Sequence, residues 1–115
     1  MLGVCLGLQA MAEVYGGTLR NLDEVLHGVA RPVHVTDAED PLFRGLPATF
    51  SGGRYHSWVA DRETLPSCFR ITARDDQHNI MALRHRDYDL CAVQFHPESV
   101  LTEFGKEIIR NWVNT

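Results

Sequence analysis

The order of segments along this chain predicts a mixed α/β fold, an open sheet with flanking helices. A short apolar strand and a helix come first, an antiparallel meander of strands occupies the second half, and an amphipathic helix comes last. With 115 residues, 44% of them hydrophobic, the chain has the size and composition of one globular unit with its own core. We therefore expect a single domain over residues 1–115.

The opening segment predicts a strand, a tight turn and a helix. Residues 1–4 are continuously apolar, as in a strand buried on both faces of a sheet. Apolar residues then recur at helical spacing from Leu6 to Tyr15, and Gly16-Gly17 provides a C-terminal stop. Because a domain rarely starts with its central strand, we expect the N-terminal strands of the sheet to be missing here or supplied elsewhere.

Glycine and proline divide the middle of the chain into short segments. We expect breaks at Pro32 and at Gly52-Gly53, because proline removes a backbone donor and paired glycines mark loops. The predicted elements are a turn or short helix at 21–27, a half-exposed strand at 33–36, a loop or helical turn at 40–47, and a loop that runs into a strand at 54–59.

The second half of the chain shows a clearer alternation of strands and turns. Polar turns at 74–79 and 87–89 separate three apolar segments. The predicted elements are strands at 69–73, 80–83 and 90–95, followed by a helix at 102–113. One face of that helix is apolar, and we expect it to pack in the core. Its residues are Phe104, Ile108, Ile109 and Trp112.

The sharpest local motif is Gly3-Val4-Cys5-Leu6-Gly7. It is the cysteine version of the G-x-S-x-G nucleophile elbow, in which a strand-to-helix turn exposes its central side chain. We expect the small flanking residues to relieve crowding, and the helix N-terminus to favour the Cys5 thiolate. The N–H of Leu6 is placed to form one side of an oxyanion hole. On this motif alone, a small buried hydrophobe is an equally good interpretation of Cys5.

A second motif, His96-Pro97-Glu98-Ser99, follows the last predicted strand. Pro97 stops the strand and fixes the backbone between His96 and Glu98. In this arrangement Glu98 holds one imidazole nitrogen and leaves the other free to take a thiol proton. A strand-end histidine beside a solvent-facing glutamate is the simpler alternative for this pair alone. Two such motifs at strand ends in one small α/β chain favour catalysis.

These two motifs resemble the signatures of class I (triad) glutamine amidotransferases. The resemblance also includes Gly16-Gly17, His27-Gly28, residues 41–47, Arg54-Tyr55-His56-Ser57 and residues 99–103, and so spans essentially the whole chain. Within the family, the last two segments look most like the glutaminase subunit of anthranilate synthase or aminodeoxychorismate synthase. The resemblance implies a flavodoxin-like open sheet and identifies residues 1–115 as a partial amidotransferase domain that lacks its N-terminal strands.

The resemblance also implies a Cys–His–Glu site. Cys5 would attack the side-chain amide of glutamine, His96 would shuttle the proton, and Glu98 would orient His96. The released ammonia would pass to a partner subunit, a synthase that makes anthranilate or aminodeoxychorismate from chorismate. No metal or other cofactor is implied.

Further contacts with the substrate follow from the same resemblance. Gln9, one turn into the first helix, would contact bound glutamine, and Ser57 and Trp58 would hold its α-amino and α-carboxylate groups through the backbone. Three positions depart from the family pattern: Leu8 stands where His is frequent, Val29 where Lys often follows His-Gly, and Trp58 where Leu is usual. The upstream Gly-rich loop that donates the second oxyanion N–H in the family has no counterpart in this sequence.

Composition argues against several other classes of function. A formal net charge of −4 with scattered basic residues does not suit nucleic acid or an anionic membrane, and no apolar run approaches the roughly 20 residues of a membrane span. Three cysteines without a CxxC pair suit a reducing cytoplasm rather than a disulfide framework, and Cys68 and Cys91 look structural. Four histidines share no metal-site spacing and are expected in surface or turn positions, with His56 as an exception because it lies in the segment that the resemblance assigns to glutamine binding. They are His34, His56, His78 and His85.

Two other functions remain open on the sequence. An incomplete or non-catalytic form of the domain would serve as a binding module. A partner-independent hydrolase of the same fold would act on γ-glutamyl or peptide substrates. The leading hypothesis is the glutaminase subunit, because both motifs occur in the family order with matching flanks.

Overall fold

The computed structural model describes residues 1–114. This part of the chain contains eight strands, two α-helices and one 3-10 turn. In chain order the elements are β1 (Leu2–Val4), α1 (Leu6–Val14), β2 (Leu19–Asn21), β3 (Val29–Val35), the 3-10 turn (Pro41–Phe43), β4 (Thr49–Arg54), β5 (Trp58–Ala60), β6 (Phe69–Arg74), β7 (Ile80–His85), β8 (Cys91–Val93) and α2 (Gly105–Val113).

The main sheet has six strands in the order β1-β8-β7-β6-β3-β4, and β2 and β5 form a separate antiparallel pair. β1 runs parallel to β8, with Val4 opposite Val93, whereas the other pairs in the main sheet are antiparallel. The predicted α/β open sheet is therefore confirmed, and the predicted meander is the run β6-β7-β8. Parallel pairing brings the carboxyl ends of β1 and β8 to the same edge of the sheet.

Two apolar clusters lie on opposite faces of this sheet. Successive strand residues point to opposite faces, and accordingly Ala92 belongs to the cluster beneath α1 whereas Val93 belongs to the cluster that includes Ile108 of α2. Leu8 of α1 and Ile108 are fully buried, and each such burial stabilises the fold by about 1.5–3 kcal/mol. The two helices thus flank the sheet on its two sides.

The predicted breaks at Pro32 and at Gly52-Gly53 are wrong, because β3 and β4 run through them. Pro32 pairs with β4 on one side only, since β3 meets β6 only at its end, and proline is tolerated on such an edge. The glycines serve close packing rather than a turn. A Cβ at Gly52 would lie 3.0 Å from the Cβ of Phe95, and one at Gly53 would lie 3.0 Å from Ser99 Oγ.

Other predicted elements change in extent. Residues 21–27 form no helix, and the last strand is confined to Cys91–Val93 because the chain bends at Gln94. The last helix begins at Gly105 because Phe104 has a left-handed backbone, with φ of 58°, which cannot continue an α-helix. Of the predicted apolar stripe only Ile108 is fully buried, whereas Phe104 and Ile109 stay partly exposed.

One histidine that was predicted at the surface is buried. His85 is 6% exposed and lies against the rings of Tyr15, Phe69 and Tyr88. Its Nδ1 accepts backbone N–H bonds from Asp87 at 3.0 Å and Tyr88 at 3.1 Å, which ties the tight turn after β7 to the ring. The polar edge of the ring is thereby satisfied and its apolar faces pack, which is why burial is tolerated.

Two features are absent from residues 1–114, a membrane-spanning helix and a metal-binding cluster. Neither of the two helices is long and apolar enough to cross a membrane. No group of three or more His, Cys, Asp or Glu side chains within this range is arranged to hold a metal ion.

A matched pair of glycine substitutions tests the packing of α2. A Cβ at Gly105 would lie 1.9 Å from the carbonyl oxygen of Pro97, whereas a Cβ at Gly7 in α1 would meet nothing within 4 Å. We expect Gly105→Ala to lower the free energy of unfolding by about 1–3 kcal/mol through this overlap. Gly7→Ala should be neutral or stabilising by up to about 1 kcal/mol, because alanine favours a helix.

Urea denaturation of the two variants measures both effects. Equal destabilisation by both substitutions, or none by Gly105→Ala, would contradict the tight contact between α2 and the segment that carries His96.

Candidate active site

Cys5 occupies a strained turn between β1 and α1. Its φ of 54° and ψ of −100° are rare for a residue other than glycine, and its N–H donates to the carbonyl of Val93 at 2.8 Å. A Cβ at Gly3 would lie 3.0 Å from the backbone carbon of Gly7, so the first flanking glycine relieves real crowding. The second does not, because the space beside Gly7 is open. The prediction that both flanks relieve crowding is correct for Gly3 alone.

The Cys5 sulfur is buried, with the residue only 6% exposed. Burial raises the pKa of the Cys5 thiol above its usual value. Hydrogen bonds from the N–H of Leu6 and from Gln94 Nε2, at 3.5 Å, act in the opposite direction without overcoming burial. The expected effect of the helix N-terminus is present, because the Leu6 N–H lowers the pKa, but burial outweighs it and the pKa of the thiol stays raised. A nucleophilic Cys5 requires a base to remove its proton.

His96 lies beyond the carboxyl end of β8 and is held from several sides. Its Nδ1 is 2.7 Å from Glu98 Oε2, so the carboxylate fixes the ring and leaves Nε2 as the free nitrogen. Its N–H donates to the carbonyl of Gly53 at 3.0 Å, and its carbonyl accepts from Thr102 Oγ1 at 2.6 Å. The ring of Tyr55 meets the imidazole edge-on at 5.1 Å. These contacts fix both the backbone and the ring plane of His96.

An open cavity of about 410 Å³ brings most of the predicted site residues together. Of the seven predicted residues, Glu98 is the exception and reaches the site through its bond to His96. Its side chain is 66% exposed. The six that line the cavity are Cys5, Leu6, Gln9, Ser57, Trp58 and His96.

Two glutamines link the cavity wall to the sulfur, and the sequence motifs did not single out the second one. Gln9 Nε2 donates to the Trp58 carbonyl at 2.9 Å and to Gln94 Oε1 at 3.3 Å. Gln94, fully buried, donates in turn to Cys5 Sγ at 3.5 Å. The available signal for Gln94 was its position directly after a buried strand that lies beside the strand of the elbow. Parallel strands bring their carboxyl ends to the same edge of a sheet, where Gln94 and Cys5 then meet.

The carbonyl oxygens of Ser57 and Trp58 are already used within the chain. The Ser57 carbonyl accepts from the N–H of Leu22 at 2.7 Å. The Trp58 carbonyl accepts from Gln9 and from His56 Nδ1, each at 2.9 Å, which fills its two lone pairs. A ligand in the cavity would therefore meet the side chains and N–H groups of Ser57 and Trp58 rather than the Trp58 carbonyl.

A buried charged group lies behind these two residues, at the end of β4. Arg54, His56 and Asp75 are each less than 10% exposed. Burial and the Arg54 charge lower the pKa of His56 to about 4, so its ring is neutral near pH 7. His56 lies in the connection between β4 and β5, as predicted for a turn position, but its side chain is buried and not at the surface. The signal for this burial was the spacing of Arg54 and His56 in Arg-Tyr-His-Ser, at the end of β4. Residues two apart along extended chain point to the same side, which here is inward.

The family model for glutamine amidotransferase class-I matches residues 1–115. This chain belongs to that family. The family predicted from the two motifs is confirmed. Residues of both motifs line the cavity described above.

Curated relatives share nearly half of their aligned residues with this chain. An anthranilate synthase component 2 from Haloferax volcanii is 47% identical over 115 residues, which cover 97% of this chain and 54% of the relative. An aminodeoxychorismate synthase component 2 from Klebsiella aerogenes is 46% identical over 114 residues, which cover 99% of this chain and 60% of the relative. The chain thus spans between 54% and 60% of the length of these two relatives.

Solved structures give the same fold. A structure from Thermoplasma acidophilum superposes with a TM-score of 0.88 at 28% identity and covers 98% of this chain and 55% of that chain. A glutamine amidotransferase from Thermotoga maritima superposes with a TM-score of 0.72 at 20% identity, covering 98% of this chain and 44% of that chain. The second likeness concerns the fold alone.

The lowered pKa of His56 predicts a pH dependence of stability. The folded pKa of about 4 lies below the ordinary 6.5, so between these values the unfolded chain binds a proton that the folded chain does not. The contribution of the neutral His56 ring to the free energy of unfolding is therefore fully present above pH 6.5, and it is lost as the pH falls toward 4. From pH 7 to pH 4 the wild-type chain should lose about 2–3 kcal/mol more unfolding free energy than His56→Asn, which cannot titrate.

Urea unfolding curves at several pH values between 4 and 7 measure this difference. Parallel pH profiles for the wild-type chain and His56→Asn would show that His56 is not held neutral by its surroundings.

Proposed function

We propose that this chain carries the glutaminase site of an amidotransferase, with Cys5 as nucleophile, His96 as general acid–base and Glu98 as the residue that orients His96. One observation supports it most. A strained, buried cysteine and a carboxylate-held imidazole line the same cavity, so a candidate nucleophile and a candidate base open onto one space.

The proposed reaction begins with proton transfer from the Cys5 thiol to Nε2 of His96. The Cys5 thiol has a raised pKa, so this base is needed near neutral pH. The sulfur then bonds to the side-chain amide carbon of glutamine, the C–N bond breaks, and His96 returns the proton to the leaving nitrogen, which departs as ammonia. Water, deprotonated by His96, hydrolyses the glutamyl thioester to glutamate and restores the thiol.

Four further residues have proposed roles in binding glutamine or its tetrahedral intermediate. The N–H of Leu6, which already contacts the Cys5 sulfur, would stabilise the oxyanion of the tetrahedral intermediate. Gln9 and the segment Ser57–Trp58 also line the cavity and would contact the α-amino and α-carboxylate end of the substrate. Since the Trp58 carbonyl is filled, Ser57 and the backbone N–H groups are the better candidates for these contacts.

The acceptor of the ammonia is proposed to be a separate synthase subunit that uses chorismate. The names of the curated relatives, component 2 of anthranilate synthase and of aminodeoxychorismate synthase, support this partner. Both kinds of relative match the chain to nearly the same identity, so either acceptor suits the proposal equally.

A pair of cysteine substitutions tests the nucleophile. Cys5→Ala removes the attacking sulfur and should lower glutamate release from glutamine by about a thousandfold or more, with the chorismate-using synthase present. Cys68→Ala removes a partly buried cysteine outside the cavity and should leave turnover unchanged.

Glutamate formation with and without the synthase is the measurement, with thermal unfolding of each variant as a check on folding. Full activity of a folded Cys5→Ala protein would show that the nucleophile lies elsewhere. Equal loss in both variants would show that cysteine removal acts through stability.

A further inference from the structure

A continuous buried chain of polar contacts runs from β6 to the wall of the cavity. Asp75 Oδ2 accepts from Arg54 Nη1 at 3.1 Å and from Asn79 Nδ2 at 3.0 Å. Arg54 Nε donates to His56 Nε2 at 2.8 Å, and His56 Nδ1 lies 2.9 Å from the Trp58 carbonyl. All these residues except Trp58 are less than 10% exposed. Buried polar groups of this kind lose several kcal/mol of solvation unless each is paired, so the chain of contacts is specific.

The arginine fixes the protonation state and the direction of the imidazole. A guanidinium has no acceptor, so His56 Nε2 must be the unprotonated nitrogen that accepts from Arg54. The proton of the neutral ring is therefore on Nδ1, and Nδ1 donates to the Trp58 carbonyl. The pKa of His56, lowered to about 4, agrees with a neutral ring. Asp75 holds Arg54 in turn, and Asn79 holds Asp75, so this pair supports the direction in which the donor of His56 points.

This chain of contacts meets the cavity at His56 and Trp58, which both line it, and the Trp58 carbonyl connects it to Gln9. That carbonyl accepts one bond from His56 and one from Gln9, at 2.9 Å each, and Gln9 continues to Gln94 and to Cys5 Sγ. The bond from His56 therefore determines the direction of the oxygen to which Gln9 is anchored. Gln9 and Trp58 both line the cavity in front of Cys5.

We propose that His56 is a positioning residue for glutamine: its Nδ1–H donor fixes the Trp58 backbone and the Gln9 amide in the geometry that receives the substrate. The inference rests on the glutaminase function proposed above and adds a residue to it. His56 does not touch the reacting atoms, so it acts on substrate binding through Trp58 and Gln9. Loss of its donor should weaken the binding of glutamine more than it slows the chemical step at Cys5.

Two substitutions separate the donor from the acceptor of the imidazole. The amide of asparagine lies as many bonds from the backbone as Nδ1, so His56→Asn retains a donor toward the Trp58 carbonyl and gives up the acceptor for Arg54. The amide of glutamine extends to the position of Nε2, so His56→Gln retains the acceptor for Arg54 and gives up the donor to Trp58. Both variants leave an uncharged side chain with no proton to titrate near pH 7.

Steady-state glutaminase kinetics in complex with the chorismate-using synthase provide the first readout. We expect His56→Gln to raise KM for glutamine about five- to tenfold, the effect of one lost hydrogen bond, with kcat within about twofold of wild type. His56→Asn should keep KM within about twofold of wild type. Thermal unfolding of each variant establishes that it is folded.

Two alkylation rates at Cys5 provide the second readout. A glutamine-mimicking electrophile requires the substrate site, whereas iodoacetamide requires only an accessible sulfur. His56→Gln should slow the first reaction by the same factor as KM and leave the second unchanged. His56→Asn should leave both rates unchanged.

Several results would overturn the inference. Equal rises in KM for both variants would show that the imidazole is needed for packing and not for its donor, and unchanged KM in both would show that Trp58 needs no such bond. A fall in kcat at constant KM would place the effect on the chemical step. Failure of the proposed function has a different signature, because wild-type Cys5 would then react with iodoacetamide but show no glutamine-protected reaction with the electrophile.

Discussion

The parallel pairing of β1 with β8 is the constraint on which the candidate site depends. With Val4 opposite Val93, the two strands end together, and the N–H of Cys5 donates directly to Val93. The chains then diverge, since Cys5 enters α1 while Gln94 stays buried against the sulfur and His96 emerges into the cavity. A slip of one residue in this register would turn every side chain of β8 to the other face of the sheet and remove Gln94 from the sulfur.

Packing around this edge explains both the strain and the low acidity of Cys5. The turn at φ 54° places the sulfur in a buried position, where desolvation raises the pKa of the thiol. In the proposed mechanism the thiol is protonated at rest and becomes a nucleophile when His96 accepts its proton. Tight contacts hold His96 in place, because Gly53 and Gly105 allow β4 and α2 to approach closely the segment from Pro97 to Ser99 that follows it.

Local motifs predicted the part of the site that short-range chemistry encodes. The elbow around Cys5 and the His96–Glu98 contact each depend on neighbours in sequence, so a motif is sufficient to find them. The strand through Gly52 could not be predicted, because its reason is contact with Phe95, far away in the sequence. The burial of His56 was missed for the same reason, since its partners come from separate elements of the fold. The raised pKa of Cys5 likewise comes from burial in the assembled fold, which no pattern around the elbow contains.

Trapping the covalent intermediate tests the central claim, that Cys5 attacks glutamine, most directly. The chain would be mixed with glutamine and the synthase, quenched in acid within the first turnovers, digested with trypsin and analysed by mass spectrometry. Trypsin separates the three cysteines, because Arg20, Arg62 and Arg86 lie between or beside them in the sequence. We expect a glutamyl thioester on the peptide that contains Cys5. A glutamyl adduct on the peptide of Cys68 or Cys91, or glutamate release without any adduct on Cys5, would contradict it.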